Sequence, residues 1–410
     1  MSIVPRNFQK MFGIVIGTVA GVAIGLASGL LPGIHVNTMA GVLLTFQVAL
    51  LPVLGPETLA FTLFAALITH TFLDVIPATF LGIPDADTAV SVLPLHELCM
   101  EGKGEEAARI SALGSAAGLL IAIPLSGALL LLLPAVQAYV DWGIGIILVG
   151  ILGYLIVSGE SPGWALLVFS VSGMLDLFTF RYTFLGTGVI GNAGLLMPLL
   201  SGLFGIAILV FSGTGPVPPQ RFEGLELRKG TVLKHTLQGS VAGTIVGWLP
   251  GLSNATANAV LATGIRYDTD RRGYILATGA ANTVNALVAL AAFFVIGRTR
   301  NGIMVAFSSL DIPSMGQLVA VGALAGAIAY ALTIHISGFA WLFSGIDRKK
   351  LHFAVCIFIT LISLAICGFF GLFILVLATA VGVVPRLVNV AQVYCMGAIA
   401  LPVILFSFGL

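Results

Sequence analysis

One short stretch with the makings of an anion site occurs twice in this chain. Leu31-Pro32-Gly33-Ile34-His35-Val36-Asn37-Thr38 is matched, 218 positions later, by Leu249-Pro250-Gly251-Leu252-Ser253-Asn254-Ala255-Thr256. Each Pro-Gly pair interrupts a long apolar run. A helix that starts afresh after the break presents free N–H groups and the positive end of its dipole, a setting that favours an anion. Asn37, Thr38, Ser253, Asn254 and Thr256 add side-chain donors at those starts, and His35 adds a ring. The other reading is a kinked helix whose polar residues only cap it. Duplication of the break at matching places in two halves favours binding, because paired interruptions mark binding sites in transporters. Pro32, Gly33, Pro250 and Gly251 are therefore site residues together with the polar ones.

Further candidates surround these breaks. Gly297-Arg298-Thr299-Arg300-Asn301-Gly302 carries two arginines. Near membrane depth an arginine faces a cavity, and its planar fork suits a carboxylate or phosphate; at the membrane surface it is ordinary. Asp85 and Asp87 follow the Gly82-Ile83-Pro84 break, and Asp85 aligns with Arg300 at an offset of 215. They are candidates for a coupling cation or proton, for pairing with Arg298 and Arg300, or for a solvated turn. His70 and Asp74 are four apart in an apolar segment and share a helix face, so they suit a proton relay or a structural hydrogen bond. Asn282 and Asn285 lie three apart on one face of another apolar helix, where they line a cavity or link helices. His335 reads as a core histidine.

Enzymatic chemistry finds no support. No Ser-His pair stands in a nucleophile context, Asp85 and Asp87 share one loop without a second acidic motif, and there is no P-loop for ATP. The four cysteines (Cys99, Cys356, Cys367 and Cys395) have no metal-ligand spacing, so no metal or cofactor is expected.

The elements that position these residues are membrane helices. The chain is 58% hydrophobic and only 9% charged, with a mean hydropathy of +1.10, whereas a soluble chain carries about a quarter charged residues. A spanning helix needs roughly 20 apolar residues, so roughly ten to fourteen hydrophobic segments are expected, some short or re-entrant. Net charge is +1, which gives no reason to expect nucleic acid. The N-terminal run 11–31 is too long for a signal h-region and reads as a retained first helix. Within it Gly17, Gly21, Gly25 and Gly29 recur every four residues, a stripe that lets a neighbouring backbone approach. Separate segments are expected at 111–133, 142–157, 164–177 and 185–211. A Pro- and charge-rich stretch, 212–230, reads as a linker between a first membrane repeat, 1–211, and a second, 231–410. Basic clusters near Lys10, Lys229 and Lys350 suggest that these ends are cytoplasmic.

Three landmarks recur in order. Pro32 and Pro250 are 218 positions apart, Gly82 and Gly297 are 215 apart, and Gly114…Gly118 and Gly322…Gly326 are 208 apart. The fold class expected is an all-α polytopic membrane protein with two repeated halves and helices broken at Pro-Gly motifs, parallel or inverted.

Specific residues also carry a family likeness. Gly29-Leu30-Leu31-Pro32-Gly33, the Ile76-Pro77…Gly82-Ile83-Pro84 region, and Ala108-Arg109-Ile110-Ser111-Ala112-Leu113-Gly114-Ser115 resemble the large permease subunit of tripartite tricarboxylate transporters. The resemblance spans most of the chain and is strongest over 20–125 and 240–262. It departs from the family pattern at Leu93–Met100. It implies a secondary transporter for a small organic anion such as citrate, driven by a Na+ or H+ gradient, resident in the cell membrane. It also implies work with a small membrane subunit and an extracytoplasmic binding protein. The second break is similar, over a shorter stretch, to the Pro-Gly-Val-Ser-Gly-Gly-Thr motif of polyprenyl-phosphate translocases, which makes lipid-carrier translocation the alternative.

Overall fold

A computed structural model gives the fold and describes residues 6–31, 47–83, 91–188, 195–211, 217–265, 269–344 and 347–410. It is 83% helical with no strand among the described residues, which makes the class all-α. In chain order the helices are α1 Arg6–Leu30, α2 Gln47–Leu54, α3 Pro56–Leu73, α4 Val75–Leu81, α5 Val92–Met100, α6 Gly104–Val157 and α7 Pro162–Arg181. Then come α8 Leu196–Phe211, α9 Lys229–Trp248, α10 Asn254–Gly264, α11 Arg271–Ile296, α12 Gly302–Phe307, α13 Met315–Ser337, α14 Arg348–Leu387 and α15 Gln392–Ser407. Seven runs of helix among the described residues are long and apolar enough to cross a membrane: α1, α3 with α4, α6, α7, α11, α13 and α14. α8 and α15 are shorter apolar helices.

Local chemistry sets the boundaries. α3 opens on Pro56 after Gly55 in a left-handed conformation (φ 74°); proline lacks the N–H that a first turn would leave orphaned. Asp270 caps α11, its carboxylate accepting the Gly273 N–H. α4 and α11 both end on a left-handed glycine, Gly82 at φ 66° and Gly297 at φ 65°. The segments expected separately at 111–133 and 142–157 are one continuous 54-residue helix, α6. Pro124 and Pro134 sit inside it, and no Pro-Gly pair interrupts it. A single proline is accommodated in a membrane helix when neighbours take up the freed backbone groups. α14 is broken instead, at Gly368, whose φ of 65° and ψ of −161° lie outside the helical region.

Close packing runs along glycine stripes. A Cβ on Gly25 would fall 2.6 Å from Ala66 O of α3, and one on Gly21 would collide with Thr62 O. On α9, 218 positions later, Gly239 and Gly243 stand in the same way against Ala277 O and Ala281 O of α11. Contact positions ascend together in both pairs, so α1 runs parallel to α3 and α9 parallel to α11. α6 also runs parallel to α11, with Gly114 against Leu276 and Gly118 against Ala280. α13 runs parallel to α3, with Gly322 against Phe64 and Gly326 near Ile68.

α6 starts beside Phe80, and its Leu119 shares the Gly326 contact with Ile68 and Phe72. α6, and with it α11, therefore runs antiparallel to α3. The starts of α1 and α9 accordingly lie at opposite ends of the bundle. The expectation that Lys10 and Lys229 mark the same side is corrected by this opposition of direction.

The end that holds α5 and the starts of α6, α9, α11 and α14 carries an ionic network. Arg272 grips Glu106 with both arms of its fork at 2.8 and 2.9 Å and reaches Glu226 at 2.8 Å. Lys103 meets Glu226 at 3.0 Å and Arg271 meets Glu101 at 2.7 Å. Part of the expected linker, 217–228, is docked here, with the Gln220 side-chain carbonyl accepting the Gly104 N–H at 2.7 Å. One apolar core joins both halves of the chain, with Phe64 and Phe72 of α3 packed in a cluster with Leu119 of α6, Leu287 of α11 and Leu318 of α13.

Candidate functional site

The second Pro-Gly break is described in full. α9 ends where Leu249 turns extended (φ −74°, ψ 128°), and Gly251 follows at φ 77°. Only glycine takes that conformation without strain, and a Cβ there would also press on Leu148 at 3.0 Å and Val403 at 3.3 Å. α10 then starts at Asn254, with Ser253 as its cap. The Thr256 hydroxyl accepts the Ser253 N–H at 3.5 Å, the return half of a capping box, and the Ser253 hydroxyl points to Met396 Sδ at 3.4 Å.

A helix that stops short leaves its last carbonyls without intrahelical partners. Arg300 supplies them. Its Nη2 donates to Val246 O at 2.5 Å and to Leu252 O at 3.0 Å, and its Nε donates to Gly247 O at 3.3 Å. The guanidinium thus closes the end of α9 and welds the break to the loop after α11, where a cation also complements the helix dipole. Burial first, and then the like charge of Arg298, pull its pKa down to about 10, so it stays charged at neutral pH. Arg298 is half-buried and pairs with Asp141 of α6, while its Nη1 is buried without a partner among the described residues. Asp141 also accepts from Gln137 at 2.7 Å, and Gln137 accepts from Trp248 at 2.9 Å.

Asn254 differs from its neighbours. It is 1% exposed, and neither atom of its amide has a hydrogen-bond partner. A buried amide left unpaired costs free energy, so this position is where the break offers a donor and an acceptor that the fold does not use.

The other candidates fall elsewhere. His70 Nδ1 shares a hydrogen bond with the Ser28 hydroxyl at 3.0 Å, and Asn282 donates to Asp74 Oδ2 at 2.7 Å. The Thr71 and Thr283 hydroxyls are 3.1 Å apart. His70 on α3 thus reaches α1, and Asp74 at the end of α3 reaches α11. Pro32, Gly33, His35, Asn37, Thr38, Asp85 and Asp87 lie outside the described residues. Ser28, Thr71 and Thr283 carried no signal in the sequence, since small hydroxyls are ordinary in membrane helices. Asp176 did carry one, as the lone acid within the apolar helix α7.

Residues 15–397, nearly the whole chain, match the tripartite tricarboxylate transporter TctA family. The chain belongs to that family. It is also 30% identical over 362 residues to an uncharacterised protein of Methanocaldococcus jannaschii, covering 85% of each chain. No solved structure matches. This TctA-family protein is thus a multi-pass membrane protein of a tricarboxylate-transporter family, and membership implies partner subunits and a substrate-binding protein.

Proposed function

We propose that this TctA-family protein is the permease that carries a small carboxylate anion across the cell membrane by alternating access, coupled to a Na+ or H+ gradient. The first turn of α10 holds the substrate carboxylate. The unpartnered, buried amide of Asn254 carries this assignment. It adds a side-chain donor to the free N–H groups of a helix start, an arrangement suited to an anion. Pro250 and Gly251 shape the approach, and the capping box of Ser253 with Thr256 fixes the first turn. Arg300 acts through the break by fixing the carbonyls behind it, and Arg298 stands at the rim.

The halves 1–211 and 231–410 form an inverted repeat in this reading. The matched glycine contacts and the opposed directions of α3 and α11 support it. Access alternates by rocking at the α3–α11 crossing, where Asp74, Asn282, Thr71 and Thr283 meet.

Thermal unfolding of the purified protein with and without citrate tests the site. At ~100-fold above its dissociation constant a ligand stabilises by roughly 2.7 kcal/mol. The expected result is stabilisation of the wild type by citrate and its loss in Asn254→Ala. The ligand-free variant should unfold no earlier than the wild type, because the side chain makes no hydrogen bond in the fold. Undiminished citrate stabilisation in Asn254→Ala would remove the site from α10. Stabilisation by a polyprenyl phosphate alone would replace the carboxylate with a lipid carrier.

A further inference from the structure

α7 is an apolar span with one acid, Asp176, in its C-terminal third. Asp176 is 6% exposed, and among the described residues no hydrogen bond or ion pair reaches its carboxylate. An ionised, unpaired carboxylate in an apolar interior is costly, and ionisable groups inside membranes concentrate on ion and proton pathways. The surroundings connect this acid to the break. Ser172, one turn earlier on the same face, stands 3.5 Å from the Tyr394 carbonyl. Tyr394 and Met396 belong to the turn that receives the Ser253 hydroxyl. Leu175, Ala255 and Met396 share one apolar cluster. A change of charge at Asp176 therefore acts on the same packed unit as the start of α10.

We propose that Asp176 is the proton-binding carboxylate that couples anion movement to a proton gradient, an inference that rests on the transport reading above. In each cycle the carboxylate takes up one H+ from the side where the anion enters and releases it on the other. Only the carboxyl O–H bond forms and breaks, and the proton offsets one negative charge of the cargo. A metal cation fits less well, because hard cations need several oxygen ligands and no group of three or more His, Cys, Asp or Glu side chains that could hold a metal ion occurs among the described residues. Ser172 donates to Phe169 O at 3.0 Å and Thr179 to Leu175 O at 2.7 Å. From the elements packed on α7, the titratable groups on this side are Tyr394 and Cys395 of the α15 turn and Cys367 of α14. The rest of α15 brings none, and α6 brings Leu152 and Leu155. Arg181, on α7 itself, is exposed.

Infrared spectroscopy of the purified protein tests proton occupancy without any substrate. The expected result is a protonated-carboxyl stretch at neutral pH that disappears in Asp176→Asn; a spectrum unchanged by that substitution overturns the proposal. Proteoliposomes holding the protein with its partner membrane subunit, supplied with the substrate-binding protein and citrate, test the coupling. An imposed pH gradient should accelerate uptake by the wild type several-fold and leave Asp176→Asn unaffected, while citrate–citrate exchange persists in the variant and Asp176→Glu restores the pH response. A pH response retained in Asp176→Asn, or a sodium gradient that drives the wild type but not the variant, overturns proton coupling. A wild type that carries no citrate with its partner membrane subunit and substrate-binding protein supplied refutes the transport reading, and with it the coupling role, and the infrared band still decides whether Asp176 holds a proton.

Discussion

Arg300 shows how one side chain changes meaning once its partners are known. In the sequence it is a cation near a break and a natural counter-charge for a substrate. In the structure its donors meet Val246, Gly247 and Leu252 carbonyls. Truncation therefore acts on stability first. Arg300→Ala should destabilise the ligand-free protein, at about 1–3 kcal/mol for each buried acceptor left unsatisfied. Arg300→Lys should recover less than half of the loss, because an ammonium cannot reproduce the fork. Thermal unfolding of both variants checks this, and an unchanged melting point with lost citrate stabilisation would return Arg300 to direct ligand contact. The two arginines of the loop thus divide their work, one on the main chain and one on Asp141.

At the scale of helices, the glycine stripes are the packing device. A methyl group on Gly25 of α1 or Gly243 of α9 would meet backbone oxygen at 2.6 or 2.5 Å, so the helix pair must separate. Gly25→Ala and Gly243→Ala should each destabilise by roughly 1–3 kcal/mol, the usual effect of overpacking a close contact. A methyl group on Gly127 of α6 would have nothing within 4 Å of it, so Gly127→Ala should be neutral or gain up to about 1 kcal/mol from helix propensity. Unfolding measured side by side in one detergent separates the two outcomes. Equal effects at all three positions would remove the stripe from the account of α1–α3 and α9–α11 packing.

Across the whole molecule, direction and charge distribution make two predictions. The starts of α1 and α9 lie at opposite ends, so a cysteine at Met11 and one at Lys234 should be labelled by a membrane-impermeant reagent from opposite sides. The end holding Lys103, Arg271, Arg272 and Lys349 should be cytoplasmic by its basic residues. Labelling of both positions from one side would contradict the inverted arrangement.

The docked linker also responds to acid. The hydrogen bond from Lys103, followed by the charge of Arg272, holds the Glu226 carboxyl below its ordinary value of 4.5. A folded-state value lower than the unfolded one gives stability that is present above the ordinary value and lost as pH falls through the lowered one. Proteolysis within 217–228 should therefore accelerate as the pH falls below 4.5 and through the lowered value, and Lys103→Ala should shift the onset toward higher pH.

The membrane class, the helical architecture and the family were legible in the sequence, because hydropathy and Pro-Gly punctuation are local properties that the bilayer turns directly into structure. The stripe of Gly17, Gly21, Gly25 and Gly29 was legible for the same reason, since its four-residue spacing alone puts it on one face. Asp74, Asn282, Arg298 and Arg300 were legible as costly polar residues, but their roles were not. Whether a guanidinium faces a ligand or a freed carbonyl depends on which loop returns to which helix end. The continuity of α6 through Pro134 and the opposed directions of α3 and α11 were likewise set by neighbours far along the chain. Those contacts join distant residues, as Ser115 with Gly279 and Thr333 with Phe72. Such pairings are properties of the packed bundle, so only the tertiary structure decided which polar groups remain unspent, Asn254 and Asp176 among them.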